Sequence, residues 1–181
     1  MKIKLLLATL AAGVALPGIV AADDSELDAA KKKFSGEYTA TASADDERER
    51  IDEVIEEVVD DMSRFKRRFA RSALEDSTTP CPEFNIRFGS DVMEIHCTSG
   101  EPARSYIDGP TVRWTDSDGD EIPLDQDLEA DRMIQRFKGE DGERVNEFTL
   151  RDGGDTLVKS VTITSDQLPR DVTYTRTFQR Q

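Results

Sequence analysis

The chain has 181 residues, of which 38 are acidic and 24 basic, and its formal net charge is −14 at neutral pH. A surface of this sign repels nucleic acid and anionic membranes, so the charge excludes nucleic acid as an expected partner. The length suits a single domain with its own core.

The first 22 residues have the pattern of a secretory signal peptide. Lys2 and Lys4 precede an apolar stretch that ends in small residues. We therefore predict cleavage after Ala22 and export to the periplasm or the extracellular space. No later segment is apolar enough to predict a transmembrane helix. Residues 23–33 are predicted to be a polar leader, either a loose segment or a fraying helix, and residues 34–181 a single domain.

One strand and one long helix are predicted next. The strand begins at Phe34 and extends to about Ala42, and Ser43 has the spacing of a helix-capping residue. Apolar residues then recur every three or four positions along one helical face, namely Ile51, Val54, Ile55, Val58, Met62, Phe65 and Phe69. This stripe predicts one helix over 45–73, with acidic side chains in its first half and basic ones in its last third.

The remainder of the chain alternates apolar and polar residues between turn signals. Four long strands are predicted at the end, over Leu128–Lys138, Glu143–Arg151, Thr156–Thr164 and Val172–Arg180. Five shorter ones precede them, over Phe84–Phe88, Val92–Cys97, Ala103–Ile107, Thr111–Thr115 and Glu121–Leu124. The pattern predicts a mainly β fold, an antiparallel up-and-down barrel of about eight to ten strands with the long helix between its first and second strands.

The two cysteines after the signal peptide, Cys81 and Cys97, are predicted to form a disulfide, because exported proteins fold under oxidising conditions. Strict alternation would place Cys81 on the wrong side of its hairpin, and a kink at Pro82 could bring it back. Two separate thiols are the alternative.

The element order and two short motifs resemble the calycin plan of lipocalins and intracellular fatty-acid-binding proteins. FSGEY at 34–38 is similar to the start of their first strand, and VTYTRTFQR at 172–180 is similar to their last. In that family an Arg-x-Tyr pair on the last strand holds a ligand carboxylate. The resemblance implies that Arg176 occupies the arginine position, whereas Phe178 stands in place of the tyrosine and has no donor.

Several other cationic and aromatic residues lie among apolar strand positions. Arg132, Arg136 and Tyr174 join Arg176 and Phe178 as the candidate ligand-binding set. Arg176 shares its strand face with otherwise apolar or aromatic side chains, which favours an anion-binding role inside a cavity. The alternatives are an ion pair with one of the many carboxylates of the chain, or an arginine that points outwards.

Two charged segments have alternative interpretations. Acidic residues at Asp116, Asp118 and Asp120 match the first positions of a calcium loop, but the remaining positions do not match and a hairpin turn explains them. The segment from Arg64 to Arg71 is basic and contains two phenylalanines. It could contact phosphate-bearing lipid or envelope glycan, or it could be the basic end of a helix that buries both aromatic rings.

The sequence contains no catalytic motif. His96 is the only histidine, and neither a nucleophile elbow nor a phosphate loop is present. We therefore expect a protein that is not an enzyme, that needs no cofactor or metal, and that binds a small apolar or amphipathic ligand in the barrel. The alternative is a barrel with a filled core that acts through its surface as an envelope protein–protein interaction module or inhibitor, with a partner that the sequence does not identify. Six residues would fill that core: Phe84, Ile86, Trp114, Phe137, Phe148 and Phe178.

Overall fold

The structure, a computed structural model, describes residues 24–116 and 118–181. The predicted signal peptide, residues 1–22, lies outside the described residues. The helices are α1 (Asp24–Phe34), α2 (Ala44–Val59) and α3 (Arg64–Ser77). The first strands are β1 (Gly36–Ala40), β2 (Glu83–Phe88), β3 (Val92–Cys97), β4 (Ala103–Tyr106) and β5 (Val112–Thr115). The others are β6 (Glu121–Leu128), β7 (Arg132–Lys138), β8 (Gly142–Arg151), β9 (Thr156–Ser165) and β10 (Val172–Arg180).

The ten strands of this part of the chain form one antiparallel sheet that curls into a nearly closed barrel, as predicted. Their order is β4-β3-β2-β1-β10-β9-β8-β7-β6-β5, so each strand pairs with the next one along the chain except β4 with β5, and β1 also pairs with β10. The two edge strands, β4 and β5, face each other across a seam. There Gln126 Nε2 donates to the Ala103 carbonyl at 3.3 Å, and Trp114 Nε1 donates to the Pro102 carbonyl at 3.0 Å. These side chains, together with one backbone hydrogen bond from the Asp108 N–H to the Gln126 carbonyl at 3.0 Å, therefore hold the seam in place of a continuous backbone ladder.

The prediction of one helix over 45–73 is wrong, because the structure has two helices in this segment. α2 ends at Val59, and Ser63 takes an extended conformation before α3 begins. A continuous helix over this range would be roughly 44 Å long at 1.5 Å per residue. Folding back brings the basic half of the segment onto the acidic half, where Arg71 pairs with Glu56 and Arg67 pairs with Asp60 at 3.0 Å.

Of the two alternatives for the polar leader, the structure has the helical one, because residues 24–34 form the helix α1. Its buried residues, Ala30 and Phe34, pack into the barrel. Lys31 Nζ donates to the Ser90 carbonyl at 2.5 Å and Lys33 Nζ to the Ala130 carbonyl at 3.3 Å, so α1 lies against the β2–β3 and β6–β7 turns. Acidic residues and lysines dominate the sequence of α1, and its apolar side is only two turns long. The sequence pattern therefore did not reveal this side.

The FSGEY motif joins α1 to the first strand. Tyr38 donates its hydroxyl to the Phe34 carbonyl at 3.0 Å. Gly36 has a φ of 149°, and a Cβ atom added there would lie 2.6 Å from the guanidinium of Arg180. Glycine suits this backbone angle, and any side chain there would also require the Arg180 guanidinium to move.

Two clusters of buried residues make up the core. The first fills the barrel beside α1 and contains Phe84, Met93, Phe148 and Phe178 among others. The second lies under α2 and joins Ile51, Ile55, Val58 and Val59 to three residues of the barrel wall: Val161, Ile163 and Val172. The first half of the predicted apolar stripe is therefore buried, as its spacing indicates.

The second half of the stripe is not buried. Phe65 is 76% exposed and Phe69 62% exposed, and their rings contact each other edge to face with centroids 4.9 Å apart. The interpretation that α3 buries both rings is thus wrong, because the fold-back at Ser63 turns this face away from the core.

Cys81 and Cys97 form the predicted disulfide, with their Cα atoms 5.8 Å apart. Cys81 lies before the first residue of β2, so it is free of the alternation that would have placed it on the wrong face. Pro82 separates it from the strand, and the bond ties the segment after α3 to the end of β3. Within the described residues, no helix is long and apolar enough to cross a membrane.

Candidate functional site

An open cavity of about 1140 Å³ lies between α3 and the barrel interior. Its size is that of a small-molecule site. Aromatic and aliphatic side chains from four strands line it, namely Ile95, Trp114, Ile122 and Phe137. The rings of Trp114 and Phe137 contact each other edge to face at 5.1 Å. Residues of α3, including the exposed Phe65 and Phe69, border the cavity on the outer side.

The barrel is thus filled at one end and open at the other. Phe84, Ile86, Phe148 and Phe178 are buried in the first core cluster. Trp114 and Phe137, which were expected to complete a filled core, line the cavity instead. α1 covers the filled end. α2 and α3 lie beside the open end, and there Arg144 of β8 donates to the Ser77 carbonyl of α3 at 2.7 Å.

Polar side chains form the inner wall of the cavity. Asn146 Nδ2 donates to Gln135 Oε1 at 2.7 Å, which leaves the Gln135 Nε2 group buried without a hydrogen-bond partner among the described residues. A buried donor without an acceptor costs about 1–3 kcal/mol. A ligand oxygen would satisfy it.

Lys159 of β9 supplies the amine of this wall. Its side chain is 4% exposed and lines the cavity. Its Nζ atom lies 5.0 Å from the ring centroid of Phe84 and 5.7 Å from that of Phe148, and none of the described residues gives it a hydrogen bond or an ion pair. Burial lowers the pKa of Lys159 well below its ordinary value, and the nearby Arg144 and Arg176 guanidiniums lower it further.

Arg176 is buried as the strand alternation predicts, but protein groups already bind it. It forms an ion pair with Glu47 of α2 and donates to the Cys81 carbonyl at 2.6 Å. Its guanidinium also lies 5.0 Å from the Phe178 ring centroid. These contacts correspond to the ion-pair alternative, in which the arginine holds α2 onto the barrel.

The other candidates divide between the two faces of the sheet. Tyr174 and Phe178 share the inward face of β10 with Arg176, and burial raises the pKa of Tyr174. Arg132 and Arg136 lie on the face of β7 opposite to Gln135. Arg132 Nε donates to Glu129 at 2.7 Å, and Arg136 pairs with Asp127. None of the five candidates lines the cavity, and their ligand-binding role stays a prediction.

Sequence reasoning missed Lys159, although a signal was present. Leu157, Lys159, Val161 and Ile163 alternate along β9, and the three others are buried and apolar. A lone lysine in an inward apolar set is a candidate interior cation by the same alternation that identified Arg176.

The acidic segment around Asp118 forms a turn. Asp116 Oδ1 accepts hydrogen bonds from the backbone N–H groups of Asp118 at 3.0 Å and Asp120 at 2.9 Å. Across residues 24–116 and 118–181, no group of three or more His, Cys, Asp or Glu side chains is arranged to hold a metal ion.

Comparison with known proteins bears on the fold. No protein-family profile and no curated protein matches the chain. Apo lipid binding protein 8 of Caenorhabditis elegans superposes with a TM-score of 0.52 at 17% identity, over 83% of this chain and 96% of that one. The wild-type fluorescent protein UnaG superposes with a TM-score of 0.53 at 18% identity, over 83% of this chain and 98% of that one. Together with the strand order of the barrel, these similarities show that the chain has the calycin fold.

Proposed function

We propose that the protein is a non-enzymatic binding protein that holds a small apolar or amphipathic ligand in the barrel cavity. The observation that carries this proposal is the open cavity of about 1140 Å³, with apolar side chains around it and unpartnered polar groups on its inner wall. An apolar lining with a few convergent polar groups is the usual composition of a small-molecule site. The lipid binding protein with a similar fold makes lipid-like molecules the first class to test.

The ligand would lie with its apolar part against Trp114, Ile122 and Phe137. Its polar end would reach Gln135 and Lys159 on the inner wall. Burial of apolar surface would supply most of the binding free energy, at about 25 cal/mol per Å² removed from water. The polar groups would set the orientation of the ligand.

We also propose that binding takes place outside the cytoplasm. The sequence pattern of residues 1–22 supports export, and the Cys81–Cys97 disulfide fits an oxidising compartment.

Fluorescence titration with the neutral apolar dye Nile red tests the proposed site. We expect saturable binding of one dye per chain. Ala103→Trp places an indole in the cavity and should weaken binding by about tenfold or more, a loss of about 1.4 kcal/mol. Ala130→Trp is the matched control, because Ala130 is exposed in the β6–β7 turn and does not line the cavity.

Because Ala103 is buried, misfolding of Ala103→Trp would also abolish dye binding. A second variant at an exposed position separates the two causes. Ala73→Trp lies on the exposed face of α3 beside the cavity, where it should obstruct entry without disturbing the core. The proposal is overturned if the wild-type protein does not bind the dye saturably, or if both cavity variants bind it as tightly as the control does.

One observation favours the alternative of a surface-acting interaction module or inhibitor. The exposed Phe65 and Phe69 form an apolar patch on α3 that the rest of the described chain does not cover. If Phe65→Ser and Phe69→Ser leave Nile red binding intact but abolish capture of a protein partner, the surface function stands beside the cavity function.

A further inference from the structure

Lys159 differs from the other charged side chains inside the barrel. Arg176, its direct neighbour across the β9–β10 ladder, is bound by Glu47 and by a backbone carbonyl. Lys159 has the faces of Phe84 and Phe148 beside it and open cavity space in front of it. A buried amine that faces a cavity and has no counter-ion is not needed to hold the fold.

The charges around Lys159 favour its neutral form. Arg144 from β8 and Arg176 from β10 both repel an ammonium at this position. Glu47 from α2 attracts it, but the Glu47 carboxylate is already paired with Arg176. The two aromatic faces return part of the lost solvation, but less than burial of an unpaired charge costs.

A neutral primary amine in a water-poor cavity is a nucleophile. Lysines become reactive in proteins when they are desolvated in an apolar pocket or placed next to another cation, and Lys159 meets both conditions. The wall also supplies a hydrogen-bond donor, since the Gln135 Nε2 group has no acceptor.

We propose that Lys159 binds aldehyde ligands covalently, by forming an imine with the carbonyl group of an apolar or amphipathic aldehyde in the cavity. This inference rests on the proposed function, because the cavity must first admit the ligand. It goes beyond that function by naming the reactive group of the ligand and the residue that captures it.

The step is balanced without another reactant. The Lys159 amine attacks the carbonyl carbon, and proton transfer from nitrogen to oxygen gives a neutral carbinolamine. Loss of the hydroxyl group with the second amine proton, as one water molecule, gives the imine. Gln135 Nε2, which lines the same cavity and has no acceptor among the described residues, is available to donate to the carbonyl oxygen. The apolar lining favours the direction that releases water, and hydrolysis reverses the capture when water enters.

Reductive trapping with decanal tests this inference. The whole protein is incubated at neutral pH with decanal and sodium cyanoborohydride, which reduces an imine to a stable secondary amine. We expect one adduct per chain by intact mass, located on Lys159 by peptide mass spectrometry. Lys159→Met should slow the trapping by about tenfold or more, which corresponds to about 1.4 kcal/mol. Lys138→Met, at an exposed lysine paired with Asp125 at 2.6 Å, should trap like the wild type.

Decanol separates this inference from the proposed function, because it has the same chain and no carbonyl group. We expect decanol to displace Nile red from the wild type and also from Lys159→Met, with a weaker affinity in the variant because the alcohol loses one polar contact. Saturable Nile red binding by Lys159→Met also shows that the variant is folded. Adducts on Lys66 at the cavity mouth or on surface lysines instead of Lys159 would overturn the imine proposal alone. Failure of decanol to displace the dye would overturn the cavity function as well.

Discussion

The two ends of the barrel use similar residues in opposite ways. At the α1 end, Phe34 and Phe178 are fully buried in a continuous core. At the α3 end, Phe65 and Phe69 lie exposed beside a cavity. Aromatic content alone therefore does not indicate which end of a small barrel stabilises the fold. One end supplies the packing free energy, and the other can therefore leave space for a ligand.

Removing one phenylalanine from each end of the barrel tests this division of roles and has the largest expected effect. Phe34→Ala should destabilise the protein by about 3–5 kcal/mol, because it removes a buried ring and leaves a cavity. Phe65→Ala at the other end should change stability by no more than about 0.5 kcal/mol, since its ring is mostly exposed. Urea unfolding of both variants measures the difference. Equal losses would show that the α3 end contributes to the core as much as the α1 end does.

A smaller loss is expected where α2 is tied to the barrel wall. Arg176→Leu leaves the Glu47 carboxylate buried without its partner, and the expected cost is about 3 kcal/mol, since the new leucine offsets part of the penalty. The double variant Glu47→Leu with Arg176→Leu should recover most of it. Urea midpoints give the stabilities, and Nile red titration should show unchanged affinity. Weaker dye binding at unchanged stability would instead assign Arg176 to the ligand.

The smallest expected effect is a pH dependence of stability that distinguishes Lys159 from its neighbour Arg176. The pKa of Lys159 is lowered in the folded protein and ordinary in the unfolded chain, so between these two values the unfolded chain binds the extra proton. Stability contributed by this residue therefore rises with pH, by up to about 1.4 kcal/mol per pH unit.

Urea unfolding at neutral and at alkaline pH checks this dependence. Relative to Lys159→Met, the wild type should become more stable as the pH rises toward the ordinary lysine value. The exposed Lys138→Met variant should run parallel to the wild type. A pH-independent difference between the wild type and Lys159→Met would mean that Lys159 keeps its charge in the folded protein.

Strand alternation predicted the barrel and the inward face of β10 correctly, but it did not assign the faces of β7. Met133, Ile134 and Gln135 are consecutive and all buried, so both faces of that strand are covered. Arg132 and Arg136 consequently had no unambiguous direction, and only the tertiary structure shows them paired with acidic residues outside the barrel.

The helical segment and the cavity needed information that a one-dimensional pattern lacks. Apolar spacing continues unbroken through Met62 to Phe69, whereas the chain leaves the helical conformation at Ser63 and α3 folds back onto α2. The alternation along β9 indicates that Lys159 faces inward. Its lack of a counter-ion, however, depends on Glu47 being paired with Arg176. The sequence thus predicts which residues face inward, whereas three-dimensional packing decides which of them remain free.

The seam between β4 and β5 bears on how readily a second chain could add a strand to the barrel. Each of these edge strands is only four residues long, and each carries an outward arginine, Arg104 or Arg113. Short edges with charged side chains are poor templates for strand addition from another molecule. Because Gln126 and Trp114 close the seam through side chains, a transient parting would expose little backbone to a second chain. The barrel thus offers a second chain few free backbone groups to pair with, although its own ring of backbone hydrogen bonds is incomplete.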